Sequence, residues 1–326
     1  MLNFCTLFDS NYLAKGLCMY NSLKEACPDF QLFIFAFDDK TLTLLAKLKL
    51  DKVVLISLAE FEDPELLNIK PTRTKAEYCW TCSSSTIHYC LNNFDINHCT
   101  YIDSDLFFYN DPTVLIDEMG NDDVLIIDHR YTTIYDQSSL SGKYCVQFMT
   151  FKKTGNGLKI LNWWREACIK WCYNRREDGK FGDQKYLDDW MTRFEGVHEL
   201  QYLGGGVAPW NVQQYDIRNI NNTLIGIEKA TGNPFELIFY HFHHLSNQNF
   251  QFFNEFNLGP YLLSKSITKY VYIPYIKRLK HIDKNIKSID NSFDCLGSSV
   301  TKFGWFKLGA HYVKNSLRKN KIIWLR

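Results

Sequence analysis

The chain has 326 residues, 46% hydrophobic and 16% aromatic, enough for one compact domain of ~250 residues with an appendage. Its net charge of +1 conceals an asymmetry: residues 264–326 carry 14 Lys and Arg against 3 Asp and Glu, a balance of +11, which leaves −10 for residues 1–263. The acidic body argues against nucleic acid as the main partner, and the basic tail suits an anionic surface such as a membrane leaflet.

Taken in chain order, Leu2 to Phe8 is a short apolar run that reads as a buried strand opening into the polar loop Asp9-Ser10-Asn11. Tyr12 to Ala26 has helical spacing, Gln31 to Phe37 is a second buried strand, Thr41 to Leu50 a helix and Lys52 to Leu58 a third strand. Thr74 to Asn92 reads as a long helix and Cys99 to Ile102 as a fourth strand. Val124 to Ile127 and Gln147 to Phe151 are further strands. Leu158 to Tyr173 is a helix rich in Trp, of which at least one of Trp163, Trp164 and Trp171 belongs in the core. A helix begins over Asp183 to Trp190, with Gly182 as its entry and Asp183 as its cap, and Leu237 to Phe242 is a late strand. Beyond it the pattern is helical and basic. Alternating strand and helix predicts an α/β domain with a mostly parallel sheet over residues 1–250 and a largely helical basic extension over 251–326. Ligands of such sheets sit beyond the carboxyl ends of the strands, where Asp9, Asp38, Asp39, Asp103 and Asp105 fall.

The chemistry concentrates in Tyr101-Ile102-Asp103-Ser104-Asp105-Leu106-Phe107-Phe108. In extended backbone residues i and i+2 point to one side, so Asp103 and Asp105 converge on one cation. A hard divalent ion, Mn²⁺ or Mg²⁺, takes carboxylate oxygens and keeps positions for water and substrate phosphates. There it neutralises a diphosphate and stabilises its departure. Tyr240-His241-Phe242-His243-His244 closes the last apolar strand. His241 and His243 share a face, and either supplies the imidazole such an ion accepts. Two further segments stand out: Gly182-Asp183-Gln184, and Leu203-Gly204-Gly205-Gly206-Val207-Ala208-Pro209-Trp210-Asn211, whose glycines permit close backbone approach.

Asp103-Ser104-Asp105, then Asp183-Gln184, Trp210-Asn211 and His241-Phe242, in that order, resemble the retaining glycosyltransferases of family 8, which have the GT-A fold. The resemblance spans Leu2 to His244. It is nearest to bacterial glycosyltransferase-like proteins with runs similar to Glu77-Tyr78-Cys79-Trp80-Thr81-Cys82, Tyr144-Cys145-Val146-Gln147-Phe148 and Ala208-Pro209-Trp210-Asn211. It implies transfer of a sugar from a nucleotide-sugar donor, UDP-linked, to a glycan or lipid-linked glycan acceptor in bacterial surface polysaccharide synthesis. By the same resemblance Asp103 and Asp105 hold the ion with His241, and Asp103 also lies near the ribose with Ser104. Thr6 to Tyr12, with Asp9, cradle the base; Tyr144 to Gln147 border the sugar; Asp183 and Gln184 lie beside it. Two departures stand out. The family's H-x-x-G-x-x-K-P-W run is absent, with His244 in place of its Gly, and its F-N-x-G run is replaced by Tyr144-Cys145-Val146-Gln147. If configuration is retained, Gln184 is only a weak nucleophile; if it is inverted, Asp183 or Asp188 is the natural base.

Arg73, Lys75, Lys143 and Arg165 are further cations for a diphosphate. A sugar nucleotidyltransferase would show a Gly-rich basic loop after the first strand, which Phe8-Asp9-Ser10-Asn11-Tyr12 is not. A non-catalytic glycan- or protein-binding module on the same fold is the other alternative. Eleven cysteines, an odd number, and a start without a charged n-region point to free thiols in a cytoplasmic protein, peripheral on the inner membrane face. Cys79 and Cys82 lack the second pair that a zinc site needs. No apolar run of about 18 residues is present. Ile276 to Lys280 and Val313 to Arg326 mix cations with apolar residues as an interfacial helix does.

Overall fold

The structure is a computed structural model that describes residues 1–250, 253–293, 296, 299–300 and 322–325. Most of the basic run Val313–Arg326 therefore lies outside the described residues.

The strands in chain order are β1 (Leu2–Phe8), β2 (Phe30–Ala36), β3 (Val53–Ser57), β4 (His98–Ile102), β5 (Leu106–Phe108), β6 (Val124–Asp128), β7 (Tyr144–Lys152), β8 (Val197–Glu199), β9 (Tyr215–Ile220), β10 (Thr223–Glu228), β11 (Pro234–Glu236), β12 (Phe239–His241), β13 (Ser246–Phe250) and β14 (Phe253–Asn257). A seven-stranded sheet runs β3-β2-β1-β4-β7-β6-β8. β7 is antiparallel to both its neighbours, and the other pairs are parallel. The expected α/β class with a mostly parallel sheet is what the chain adopts. The strands of its centre are apolar at nearly every position because both faces are covered. In β1, Phe4 and Phe8 enter one core while Cys5 and Leu7 enter the other.

One face packs on the helix Leu13–Ala26, the other on the helices Lys75–Asn93 and Gly155–Lys170. Thr74 and Glu77 start the second of these with a reciprocal capping box. Trp164 and Trp190 are fully buried against Phe151, so the core claims Trp164, and Trp171 is nearly as buried. Each such side chain contributes about 1.5–3 kcal/mol of transfer free energy. All ten described cysteines are free, as an uncapped thiol inventory predicts.

Three readings need correction. The expected strand Leu237–Phe242 forms a ladder only over Phe239–His241, because its partner β5 is three residues long; Leu237, Ile238 and Phe242 bond to loop and neighbouring backbone instead. Asp183 to Trp190 is a 3₁₀ turn, Gln184–Asp189, followed by the short helix Trp190–Arg193. Asp183 does not cap it with its side chain, and its carbonyl is held by the buried Trp164 indole at 3.0 Å. Beyond Phe242 the chain is not at once helical: β13 and β14 pair antiparallel across residue 250. The small sheet β9–β10–β11 also escaped the sequence reading. Its alternating β9 and β10 turn at Asn221-Asn222, both at positive φ, where Asn is tolerated.

The helix Ile273–Ile289 lays Tyr275, Ile276, Leu279, Ile282 and Ile286 into the same core as the helix Leu13–Ala26. Its exposed face carries Lys277, Arg278, His281 and Lys284, and Arg278 pairs with both carboxylate oxygens of Glu25. Among the described residues no helix is long and apolar enough to cross a membrane.

Candidate active site

A cavity of ≈ 690 Å³ opens at the carboxyl ends of β1 and β4, within the range of small-molecule sites. One wall is the loop after β1, with Asp9, Asn11 and Tyr12. Asp9 shapes it by accepting from the Asn11 and Tyr12 amides at 3.0 and 3.3 Å. Lys75, Ala76, Cys79, Trp80 and Ser83 supply a second wall; their spacing puts them on one helical face. Asp183 and Gln184 come from the 3₁₀ turn, and Cys145 and Val146 from β7. The far end is aromatic, with Tyr131, Trp210 and Tyr261 beside His129, whose ring stacks on Tyr131 at 4.5 Å.

The floor is Asp103-Ser104-Asp105 and His241. β5 continues from the two acids and pairs with β12 so that His241 stands opposite Leu106. This pairing brings the imidazole Nε2 to 3.0 Å from Asp105 Oδ1 and 3.8 Å from Asp103 Oδ2. One ligand atom from each of the three residues lies within 4.8 Å of the others. The other ring nitrogen, Nδ1, faces Gln147 Oε1 at 2.8 Å and donates to it. That assigns the tautomer: once Nε2 is deprotonated, its lone pair points between the two carboxylates. Two carboxylates and an imidazole are a donor set suited to a divalent ion such as Mn²⁺ or Mg²⁺, so the residues fit one.

Electrostatics agree with the geometry. Burial, and then the charge of Asp105, push Asp103 up to about 6 against the pull of His241. Burial would raise Asp105 too, but His241 and Lys15 hold it well below the usual carboxylate range. His241 is raised, because Asp105 and Asp103 outweigh the burial that opposes its charge. Burial and then His241 push His243 down to about 3. Burial, and then Asp103, push Asp183 up to about 7.

The other expected site residues divide. Asp9, Tyr12, Ser104, Asp183, Gln184, His243 and His244 line the cavity. His243 stands with its ring centroid 5.6 Å from that of His241, beside the three-residue cluster and outside it. Gln147 is fully buried behind His241. Thr6 is also fully buried and turned into the core, where its hydroxyl has no protein partner. Asp188 does not reach the cavity lining: it accepts from the Lys143 amide at 2.7 Å and pairs with Lys185 at 2.7 Å. Asp38 caps the helix Asp39–Leu48. Of the extra cations, Lys75 lines the cavity, whereas Lys143 pairs with Glu199, Arg165 with Asp63 and Glu65, and Arg73 lies over the Tyr173 ring.

Trp210 and Asn211 hold the backbone of His129 with their side chains. The Trp210 indole and the Asn211 amide both donate to the His129 carbonyl, at 2.9 and 2.8 Å. The preceding glycines allow the approach: a Cβ on Gly204 would collide with the Glu236 carbonyl, and Gly206 has φ +87°. His129, Tyr131, Tyr261, Trp80 and Lys15 were not singled out from sequence. Each is an ordinary core or surface residue in its local pattern, and only Trp80, within the run Glu77–Cys82, carried any signal.

No family model matches the chain. Among solved structures it is similar to the galactosyltransferase LgtC in complex with donor and acceptor sugar analogues, at 13% identity and TM-score 0.49 over 86% of this chain and 96% of that one. It is also similar to mouse xyloside xylosyltransferase 1, at 14% identity and TM-score 0.42 over 61% and 84%. Among curated proteins, YfnD of Bacillus subtilis (strain 168) is 30% identical over 295 residues, 88% of this chain and 91% of YfnD. YfnF of the same organism is 30% identical over 303 residues, 90% of this chain and 97% of YfnF. The protein belongs to the family of YfnD and YfnF.

Proposed function

We propose that the protein is a metal-dependent glycosyltransferase of the GT-A type. In this reading it moves a sugar from a nucleotide-diphospho-sugar, UDP-linked, to a glycan or lipid-linked glycan acceptor. The observation that carries the reading is the cluster of Asp103, Asp105 and His241, with ligand atoms within 4.8 Å, at the strand ends inside the cavity. Asp103, Asp105 and His241 would hold Mn²⁺ or Mg²⁺, which supplies positive charge to the donor's diphosphate as the sugar leaves. Gln147 orients His241. Asp9, Asn11 and Tyr12 bound the end proposed for the base and ribose, and Trp80 adds a flat apolar wall. Asp183 and Gln184 border the transferred sugar, and Tyr131, Trp210 and Tyr261 offer aromatic faces to the acceptor.

Retention of configuration is the first reading, carried over from the motif resemblance. Asp183 favours a second. A buried carboxyl at about 7 is matched to taking the acceptor hydroxyl's proton near neutral pH, as inversion requires. The anomeric configuration of the product, read by NMR, chooses between them. The exposed cations of the helix Ile273–Ile289 support a position at an anionic leaflet, which salt-sensitive liposome binding checks.

The decisive experiment is a donor screen that follows nucleoside diphosphate release with Mn²⁺. Release should stop with chelator and in Asp105→Ala. Undiminished turnover in Asp105→Ala would remove the metal from the mechanism, and production of inorganic diphosphate from a nucleoside triphosphate would identify a nucleotidyltransferase instead.

A further inference from the structure

Lys15 sits in the first turn of the helix Leu13–Ala26, directly behind the acidic floor of the cavity. Its ammonium lies 3.6 Å from Asp105 Oδ2, and its side chain is only 16% exposed. It also stands over the ring of Tyr12, 4.4 Å from the centroid, and Tyr12 lines the cavity. Among the described residues Asp105 is its one ion-pair partner. At 3.6 Å the contact is a loose ion pair rather than a hydrogen bond. A lysine so enclosed is costly unless an anion accompanies it.

Asp105 is shared. Its Oδ1 faces His241 and its Oδ2 faces Lys15. A divalent ion bound through Asp105 and His241 takes the carboxylate that Lys15 leans on, and leaves the ammonium short of negative charge. The cavity meanwhile is poor in cations: its lining holds Asp9, Asp103, Asp105 and Asp183 against Lys75 as the single Lys or Arg. A diphosphate entering this surface needs more positive charge than one ion provides.

Building on the proposed donor chemistry, we propose that Lys15 is a hand-over cation. It pairs with Asp105 in the metal-free protein and with the diphosphate oxygens of a nucleoside diphosphate once a divalent ion occupies Asp105. Tyr12 keeps the ammonium at the cavity wall through its ring face during the exchange. Two consequences follow: metal binds before nucleotide, and removing Lys15 affects the two ligands in opposite directions. A lysine needed only to hold the fold or the metal would weaken both together.

The test is calorimetric. Mn²⁺ is titrated into metal-free wild type, Lys15→Met and Lys15→Arg, and UDP, with GDP and ADP as alternates, into the Mn²⁺-loaded proteins. Lys15→Met should bind Mn²⁺ at least as tightly as wild type, since Asp105 no longer serves a competing ammonium. Its nucleoside diphosphate affinity should fall by about tenfold to a hundredfold, the loss expected for a charge-assisted contact. Lys15→Arg should recover part of that affinity, and uridine, which lacks phosphates, should bind all three proteins alike. Parallel loss of Mn²⁺ and nucleotide binding in Lys15→Met, or unchanged nucleotide affinity, overturns the hand-over while leaving the glycosyltransferase reading intact. If wild type binds neither Mn²⁺ nor any of the nucleotides, both fall. If Lys15→Met does not fold, Lys15→Arg and the order of addition in wild type carry the test: nucleotide binding as tight without metal as with it refutes the hand-over.

Discussion

Gln147 Oε1 lies 2.8 Å from His241 Nδ1, and this one contact decides which nitrogen of the ring faces the two aspartates. Both side chains are buried, so no water competes for the bond. The carbonyl oxygen can only accept, which leaves Nε2 as the site of either a proton or a metal.

Gln147→Leu should therefore lower Mn²⁺ affinity by about 10–100-fold without touching a ligand atom, because the ring loses its fixed tautomer and orientation. Isothermal titration of the metal-free proteins measures this. Affinity equal to wild type would mean that packing alone holds the ring.

Metal binding should release a proton. His241 lies above its ordinary value, since Asp105 and Asp103 overcome the burial that opposes its charge, so in the metal-free protein Nε2 keeps its proton to higher pH than a free imidazole does. Mn²⁺ must displace that proton. Affinity should then rise as pH increases and level off once His241 is neutral without help. Calorimetry at about pH 6.5 in two buffers of different ionisation enthalpy should show net proton release on Mn²⁺ binding. A release near zero would contradict the assignment.

Asp183 should weaken the fold at neutral and alkaline pH. Its folded value of about 7 lies above the ordinary value of about 3.9, chiefly through burial and then through Asp103. The folded state thus holds more protons between those limits, and its contribution is fully present below about pH 4 and lost as pH rises through about 7. Asp183→Asn, measured with chelator present, should be more stable than wild type at about pH 8, by roughly 1–4 kcal/mol, and similar to it at about pH 4. Thermal melts across this range read the difference, and a variant less stable at both ends would refute the account.

Part of this site was legible in advance. Asp103 and Asp105 sit two residues apart at a strand end, and the pair was legible there, but the structure joins them through a turn closed by the Leu106 amide on the Asp103 carbonyl, not through the expected extended backbone. β1, β2, β3, β4 and β7 were legible because continuous apolar runs bounded by polar turns have few alternatives. The 3₁₀ turn at Gln184 was not, since the buried contact of Trp164 with the Asp183 carbonyl sets it.

Sequence by itself thus determined the α/β alternation, which depends on periodicity over a few residues, and the presence of two acids at a strand end, though not the turn that joins them. Tertiary structure decided which other groups join them. Gln147 and His241 meet across 94 residues only because β5 pairs with β12 beside β7. Lys15 reaches Asp105 because its helix packs against β5, and Asp188 is lost to the site because Lys185 and the Lys143 amide claim it. Distances between segments far apart in the chain follow from how elements pack, and no local pattern of residue types encodes them.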